Sequence, residues 1–240
     1  MLTPRFNFTG DYSSFEAYFR AHPHTVRHFS KGEYLWKPGQ PYDRVHYYMS
    51  GASVCFAEHQ SGRRKLISFH GPGTIFPGYH TTFFKIELSL LTMALCETSV
   101  LEFSIDTFQT MFRSNPDVAD NVVNWYAKYV NRFLFETIHQ EFNSSRVKVC
   151  NLLYLLAKSK SANGLAARAP TVVEITQQDL ADLLGMSRVQ VTRVLTWLRG
   201  QGILATARGR ITVLDLPALA ALCTDETGFD SNLRSQRAQF

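Results

Sequence analysis

Arg188, Gln190, Thr192 and Arg193 are the outward positions of a short, apolar-patterned stretch, and each can donate hydrogen bonds. Guanidinium, amide and hydroxyl donors in such a row suit base edges and phosphate oxygens. Around them Leu180, Leu183, Leu184, Met186, Val191, Val194 and Leu195 recur with a spacing that fits two short helices sharing one core, not one long helix. Small Ala181 lets a second helix approach. Gly185 supplies a left-handed turn without steric cost, and Ser187 stands where the second helix needs an N-cap. The stretch Gln177 to Leu195 is therefore expected to form a helix-turn-helix whose second helix enters a DNA major groove. Gln177, Ser187, Arg188, Val189, Gln190, Thr192, Arg193 and Arg199 are its candidate contact residues.

Elements on either side must hold that pair. Thr176 is placed to cap the first helix, after a strand at Val172–Ile175 and a Gly/Ala/Ser-rich loop from Ser161 to Pro170. A helix at Arg146–Ser159 offers Val149, Leu152, Leu153 and Leu156 as a core stripe. Downstream, Ile203–Ala207 and Ile211–Leu214 flank Arg208-Gly209-Arg210, a hairpin wing whose two arginines suit phosphates. Charge follows the same division. Residues 1–143 carry 13 Lys+Arg and 13 Asp+Glu, whereas residues 144–240 carry 12 and 7, which accounts for the whole net charge of +5. A neutral body joined to a basic C-terminal part fits a sensor attached to a nucleic-acid reader.

The neutral part opens with a short aromatic lead-in, with a helix expected over Ser13 to Arg20 begun by a serine cap. From Thr25 to Ile105 the pattern turns to short β-type runs, among them Val45–Met49, Ser53–Glu58, Lys65–Phe69 and Ser99–Ser104. Turn signals such as Pro38-Gly39, Ser50-Gly51 and Gly71-Pro72-Gly73 separate them, as in a β-sandwich or β-roll. Asp106–Phe112 reads as a helix, and Asn115-Pro116 begins a long one to Phe142. That helix carries a seven-residue seam (Ala119, Val123, Tyr126, Val130, Phe133) and a second stripe (Val118, Val122, Trp125, Tyr129). Two apolar faces call for two partners: its own β-domain and the matching helix of a second subunit in a parallel coiled-coil dimer. Asn143-Ser144-Ser145 is the expected hinge.

In this order, the β-roll, long helix, hinge and winged helix-turn-helix resemble the CRP/FNR family of transcription regulators. Phe29-Ser30-Lys31-Gly32-Glu33, Pro38-Gly39, Ser50-Gly51, Gly71-Pro72-Gly73, Asn115-Pro116-Asp117 and the whole Gln177–Leu195 unit carry the likeness, over residues 25–215. The resemblance implies an α+β chain: an N-terminal β-roll of the cyclic-nucleotide-binding-like jelly-roll type (1–114), a dimerisation helix and hinge (115–143), and a winged helix-turn-helix (144–224). A disordered tail (225–240) would follow. It also implies double-stranded DNA, a small-molecule effector, a second copy of the chain and RNA polymerase as partners.

The effector site departs from the cyclic-AMP-binding members. They use a Glu for the ribose and an Arg-Ser pair for the phosphate, where this chain has Gly78, then Leu88 and Ser89. A leucine cannot neutralise a buried phosphate, so cyclic AMP is not expected. The segment Ile75–Phe84 facing the long helix offers Phe76, Tyr79, His80, Tyr126, Val130, Phe133 and Leu134. That set suits a small aromatic or phenolic molecule held by stacking and one or two hydrogen bonds. Val189–Leu195 is similar to the recognition helix of the chlorophenol-sensing, CprK-like branch. Pro4-Arg5-Phe6-Asn7 resembles the N-terminus of the haem-containing, CooA-like branch, which leaves His80 as a haem-ligand alternative. The register of His80 and the residues before Pro4 both differ from that branch.

Other classes find little support. The eight histidines form no metal-binding helical pair, and neither a phosphate loop nor a nucleophile elbow occurs, so no catalytic residue is assigned. Cys55, Cys96, Cys150 and Cys223 are widely spaced, which argues against a zinc ribbon or a disulfide framework; oxygen sensors of the resembled family place a cysteine cluster near the N-terminus, and no cysteine precedes Cys55, so an iron–sulfur cluster is not expected. No firm cofactor or metal is expected. No run reaches the roughly 18–20 apolar residues of a membrane span, and the cytoplasm is the expected location. A ligand-free architectural DNA binder is the remaining alternative.

Overall fold

The computed structural model describes residues 7–37, 39–40, 43–78, 90–161 and 170–224. They divide into two compact units, one through Glu136 and one from Thr137 onward.

The first unit is built on two sheets. One has the order β1 (Asn7–Phe8), β6 (Arg64–His70), β5 (Ser53–Glu58), β8 (Leu90–Ala94), β3 (Tyr34–Trp36); the other runs β2 (Thr25–Phe29), β9 (Thr98–Ser104), β4 (Arg44–Ser50), β7 (Ile75–Phe76). All pairings are antiparallel except β1 with β6. Side chains two apart on a strand share a face, so the register sets who meets whom. Cys55 lies between Ser68 and Thr92, and Ser53 lies between His70 and Ala94. Gly51 and Gly73 turn the chain with φ of 80° and 74°, where a side chain would be strained.

Two apolar clusters fill this unit. Phe29, Trp36, Tyr48, Cys55, Phe76 and Val100 form one between the sheets. The other joins Tyr47, Leu101 and Phe103 to Phe19 of α1 (Glu16–Arg20), Phe108 and Met111 of α2 (Ile105–Ser114), and Val118, Val122 and Trp125 of α3 (Pro116–Phe142). The stripe Val118–Val122–Trp125 is buried, with Tyr129 packed beside it, as its spacing implies. The seam is not: Val123, Val130 and Phe133 are each at least half exposed, as are Leu134, Ile138 and Phe142. The expected serine cap at Ser13 is absent. Ser13–Phe15 form a 3-10 turn whose N-cap, Tyr12, makes no side-chain cap, because Tyr12 is drawn into the aromatic core instead.

In the second unit α4 (Ser145–Ser161) packs on α5 (Gln177–Leu184), α6 (Arg188–Gly200) and α7 (Leu216–Ala220). A three-stranded sheet, β10 (Thr171–Val173), β12 (Arg210–Val213), β11 (Leu204–Ala207), completes it. The strand expected through Ile175 stops at Val173, because only Thr171, Val172 and Val173 find partners on β12.

Candidate nucleic-acid interface and ligand-facing surface

The helix pair is held by local signals that can be followed atom by atom. Thr176 accepts from the Asp179 amide at 3.0 Å while Asp179 accepts back from Thr176, a capping box. Gly185 ends α5 in the left-handed region at φ 64°. Ser187 and Gln190 close a second box at the start of α6: the Ser187 hydroxyl accepts from the Gln190 amide at 3.3 Å, and the Gln190 side-chain oxygen accepts from the Ser187 amide at 2.9 Å. Leu180, Leu183, Leu184, Val191, Leu195 and Leu198 are buried between the helices, which turns the opposite face of α6 outward.

That outward face holds Arg188, Val189, Gln190, Thr192 and Arg193, all exposed, and Arg199 is exposed in the last turn. Two of them are also structural. Thr192 donates to Gln177 across the helix pair at 2.7 Å and contacts the Arg188 carbonyl at 2.9 Å. Gln190 has its oxygen in the capping box, so only its amide nitrogen remains to address a base. Val189 is 60% exposed, an apolar side chain with no intramolecular reason to face water. At the wing, Ala207 pairs with Arg210 across a two-residue turn in which Gly209 alone takes positive φ (71°); Arg208 and Arg210 are exposed at its tip.

In the first unit the ligand-facing candidates separate. Phe76 points into the inter-sheet cluster, its ring 4.0 Å from His70 and edge-on to Trp36 at 6.1 Å. Gly78 lies against α3: a Cβ there would overlap the Tyr126 hydroxyl and come within 3.0 Å of Trp125. Tyr126 is half-buried, while Val130, Phe133 and Leu134 look outward. Tyr79, His80, Leu88 and Ser89 lie outside the described residues.

Sequence reasoning missed a polar chain running from α3 into this unit. The Tyr129 hydroxyl is hydrogen-bonded to Ser68, and Ser68 to His70 Nε2 at 2.7 Å. Burial pushes the Tyr129 phenol well above its usual range and pulls His70 down to about 3, so both are neutral at pH 7. Alternation on β6 puts Ser68 and His70 on one face, but nothing local announces Tyr129, sixty residues away. His46 is likewise buried, packs against Trp36 with ring centroids 4.1 Å apart at a tilt of 38°, and meets Glu102 at 2.9 Å. Burial outweighs the carboxylate and lowers its pKa, so His46 donates as a neutral imidazole. That hydrogen bond, with Arg44 at 3.5 Å, holds Glu102 below its ordinary value.

Comparison with known proteins matches residues 26–115 to the cyclic nucleotide-binding domain and residues 147–222 to the Crp-like helix-turn-helix domain. The chain belongs to the CRP/FNR family of transcription regulators. Among its relatives, the CRP-like protein Clp of Xanthomonas euvesicatoria is 28% identical over 205 residues, which cover 82% of this chain and 86% of Clp. Solved structures share the fold. CprK complexed with OCPA superposes with a TM-score of 0.71 at 19% identity, covering 92% of this chain and 99% of that one. Clp of Xanthomonas campestris, described as a c-di-GMP-responsive global regulator, gives 0.70 at 19% identity over 84% and 98%. CooA from Carboxydothermus hydrogenoformans gives 0.65 at 19% over 86% and 89%. CRP/FNR regulators bind DNA and small-molecule effectors, and α5, α6 and the wing lie within the residues that match the helix-turn-helix domain. Among the described residues no group of His, Cys, Asp or Glu could hold a metal, and no helix is long and apolar enough to cross a membrane.

Proposed function

We propose that this CRP/FNR regulator acts as a homodimer on a two-fold symmetric promoter site and is switched by a small aromatic or phenolic effector. The observation that carries the dimer is the outward row Val123, Val130, Phe133, Leu134 and Ile138 on a helix whose other face is already buried. An apolar stripe of that length is costly in water and is relieved by a second copy of the same stripe. DNA contacts fall to Arg188, Val189, Gln190, Thr192, Arg193 and Arg199 on α6, with Gln177 and Ser187 at the helix starts and Arg208 and Arg210 on phosphates. The effector would rest on the Gly73–Phe84 segment and Tyr126, Val130, Phe133 and Leu134, and would favour one pairing of the two long helices over another.

Gly78 offers no carboxylate for a ribose and Leu88 no charge for a phosphate, which disfavours cyclic AMP. Haem held by His80 is the alternative within the family, and a ligand-free architectural DNA binder is the alternative outside it. RNA polymerase is the expected protein partner, the cytoplasm the expected place, and no catalytic activity is proposed.

Val130→Asp is the decisive variant. Light scattering should show a dimer for the parent chain and a monomer for the variant, with binding to a palindromic site lost in a mobility shift. A variant that stays dimeric removes the seam from the proposal. The same shift assay run with substituted phenols, cyclic AMP and cyclic di-GMP, alongside an absorption spectrum, separates the effectors. A Soret band would replace the phenol reading with haem.

A further inference from the structure

In the unit from Thr137 onward, the last turn of α3 meets α4 at a corner made only of Asn143 and Ser144. Short polar residues mark that corner as a hinge in the sequence, yet the side chains around it are tied. Asn151 of α4 is fully buried, and so is His139 of α3. The Asn151 amide donates from Nδ2 to His139 Nε2 at 3.0 Å and to the Thr224 hydroxyl at 2.9 Å. Its Oδ1 accepts from the Thr224 backbone N–H at 3.2 Å. A backbone N–H can only donate, so Oδ1 must face Thr224 and Nδ2 must face His139. The amide therefore has one orientation, and His139 accepts through Nε2. A second tie crosses the same corner. The Lys148 ammonium of α4 donates to the Gln140 carbonyl at 2.6 Å, one of the last carbonyls of α3, which its own helix leaves open.

We propose that Asn151 is a positioning residue for DNA binding: with His139 and Thr224 it latches the end of α3 to α4, so that Asn143–Ser144 is a rigid elbow and not a free hinge. This rests on the regulator reading above and adds to it what fixes the direction of the reader. A buried polar network that is satisfied holds one geometry, because each member is costly to leave without its partner. Swinging α4 about the corner would strip His139, Asn151 and the Thr224 N–H of these bonds together, away from water. The constraint then passes along α4 as one stiff element. In its first turn the Arg146 guanidinium lies 4.0 Å over the ring of Trp197 on α6, and α4 packs on both α5 and α6. The latch thus reaches the recognition helix through packed groups. Thr137–Phe142 belong with the reader, as the division of the chain after Glu136 has it. Thr224 adds the segment following α7, 73 positions from Asn151, to the same knot.

The test follows hydrogen exchange of the full chain by mass spectrometry, with no DNA present. The corner amides of Asn143, Val147 and Lys148 are bonded to the His139 carbonyl, the Ser144 hydroxyl and the Ser144 carbonyl, and should be protected in the parent. His139→Leu removes the acceptor and should speed their exchange by at least about tenfold, with α5 and α6 unchanged. His139→Gln, whose side-chain oxygen can accept from Asn151, should restore protection. Lys148→Met should give a smaller increase. Corner amides that exchange like an open loop in the parent, unchanged exchange in His139→Leu, or no recovery in His139→Gln would overturn the latch. If His139→Leu unfolds the unit, Lys148→Met decides: faster exchange confined to the corner supports the latch, and any other result overturns it. A mobility shift then compares a palindromic site with the same site lengthened by a single base pair. The folded variant with the faster corner should lose less affinity on lengthening than the parent, and equal losses would remove Asn151 from positioning. Exchange is read without DNA, so the latch and the regulator reading fail separately.

Discussion

The sheet unit and the reader helix with its wing handle polar side chains in opposite ways. In the unit through Glu136 polar side chains of the sheets are buried or half-buried and paired over long distances in sequence: His46 with Glu102, and Lys65 and Ser68 with Glu136 and Tyr129 of α3. In the unit from Thr137 onward the polar residues of α6 and the wing face outward, and their inward bonds reach only a few positions, apart from Thr192 to Gln177. Buried neutral groups make a fold sensitive to protons, whereas exposed cations make a surface sensitive to salt. One unit should answer to pH and the other to ionic strength.

The largest effect that could break this contrast is acid destabilisation of the first unit. His70 titrates near 3 in the native fold against 6.5 when unfolded. Between those values the unfolded chain holds a proton that the native one lacks, so stability is full above about 6.5 and falls as the pH drops, by about 1.4 kcal/mol per unit at most. His46, also lowered, adds in the same direction. Glu102, held below 4.5 by its hydrogen bond with His46, adds a further loss as the pH falls through 4.5 and below. Urea midpoints at pH 7.5 and 5 should therefore differ for the Trp36 and Trp125 signals and much less for Trp197. His70→Leu should flatten the slope. An unchanged slope would mean that the buried imidazole takes up a proton in the native state.

Next in size is the reader helix. Arg193→Ala should cost about 1–3 kcal/mol of specific DNA affinity by mobility shift, with discrimination relaxed at one base pair. Val189 offers only a methyl contact, so selection from random DNA should return an A·T pair opposite it. Full discrimination for G·C there would reassign the face.

The contrast also explains what could be read in advance. Thr176, Gly185, Ser187 and the core positions of α5 and α6 act within a few residues of themselves, so type and spacing reveal them. On the β-roll, short β-type runs between turn signals located β4, β5, β6 and β9, and the doubled stripe on α3 foretold both its buried and its outward face. The partners across the sheets were hidden. Lys65 and Glu136 are 71 positions apart, and neither has a neighbour that points to the other. Ser13 misled because a serine before an apolar run looks like a cap, while the aromatic packing of Tyr12 decided the local geometry. Phe76 is a ligand-surface candidate by its neighbours in sequence, and its burial between the sheets beside Trp36 and His70 could be read only from the fold.

A smaller effect sharpens the comparison from the side of stability. Ser187→Ala removes one half of a capping box at the recognition helix and should lower the stability of the second unit by about 1 kcal/mol. The Trp197 unfolding signal should move and the Trp36 and Trp125 signals should not. Because the box also fixes how α6 begins, Arg188 and Val189 lose some of their orientation, and DNA affinity should fall modestly without a change in preferred sequence. Equal shifts in all three tryptophan signals would show that the units unfold together.

The smallest change, and the purest test of salt sensitivity, is at the wing. Arg208 and Arg210 flank Gly209 at the end of a two-stranded ribbon, where the backbone turn leaves both guanidinium groups exposed and away from the core. Cations so placed meet phosphates more readily than base edges, and each phosphate neutralised releases condensed counterions. Replacing both with Ala should weaken specific and non-specific DNA alike, and should lower the slope of log affinity against log salt by about two phosphate equivalents. Since neither residue packs in the core, the unfolding midpoint should stay where it was. If preference among sites changes while the slope does not, the wing reads bases, and the division between a sequence-reading helix and a phosphate-holding hairpin is wrong.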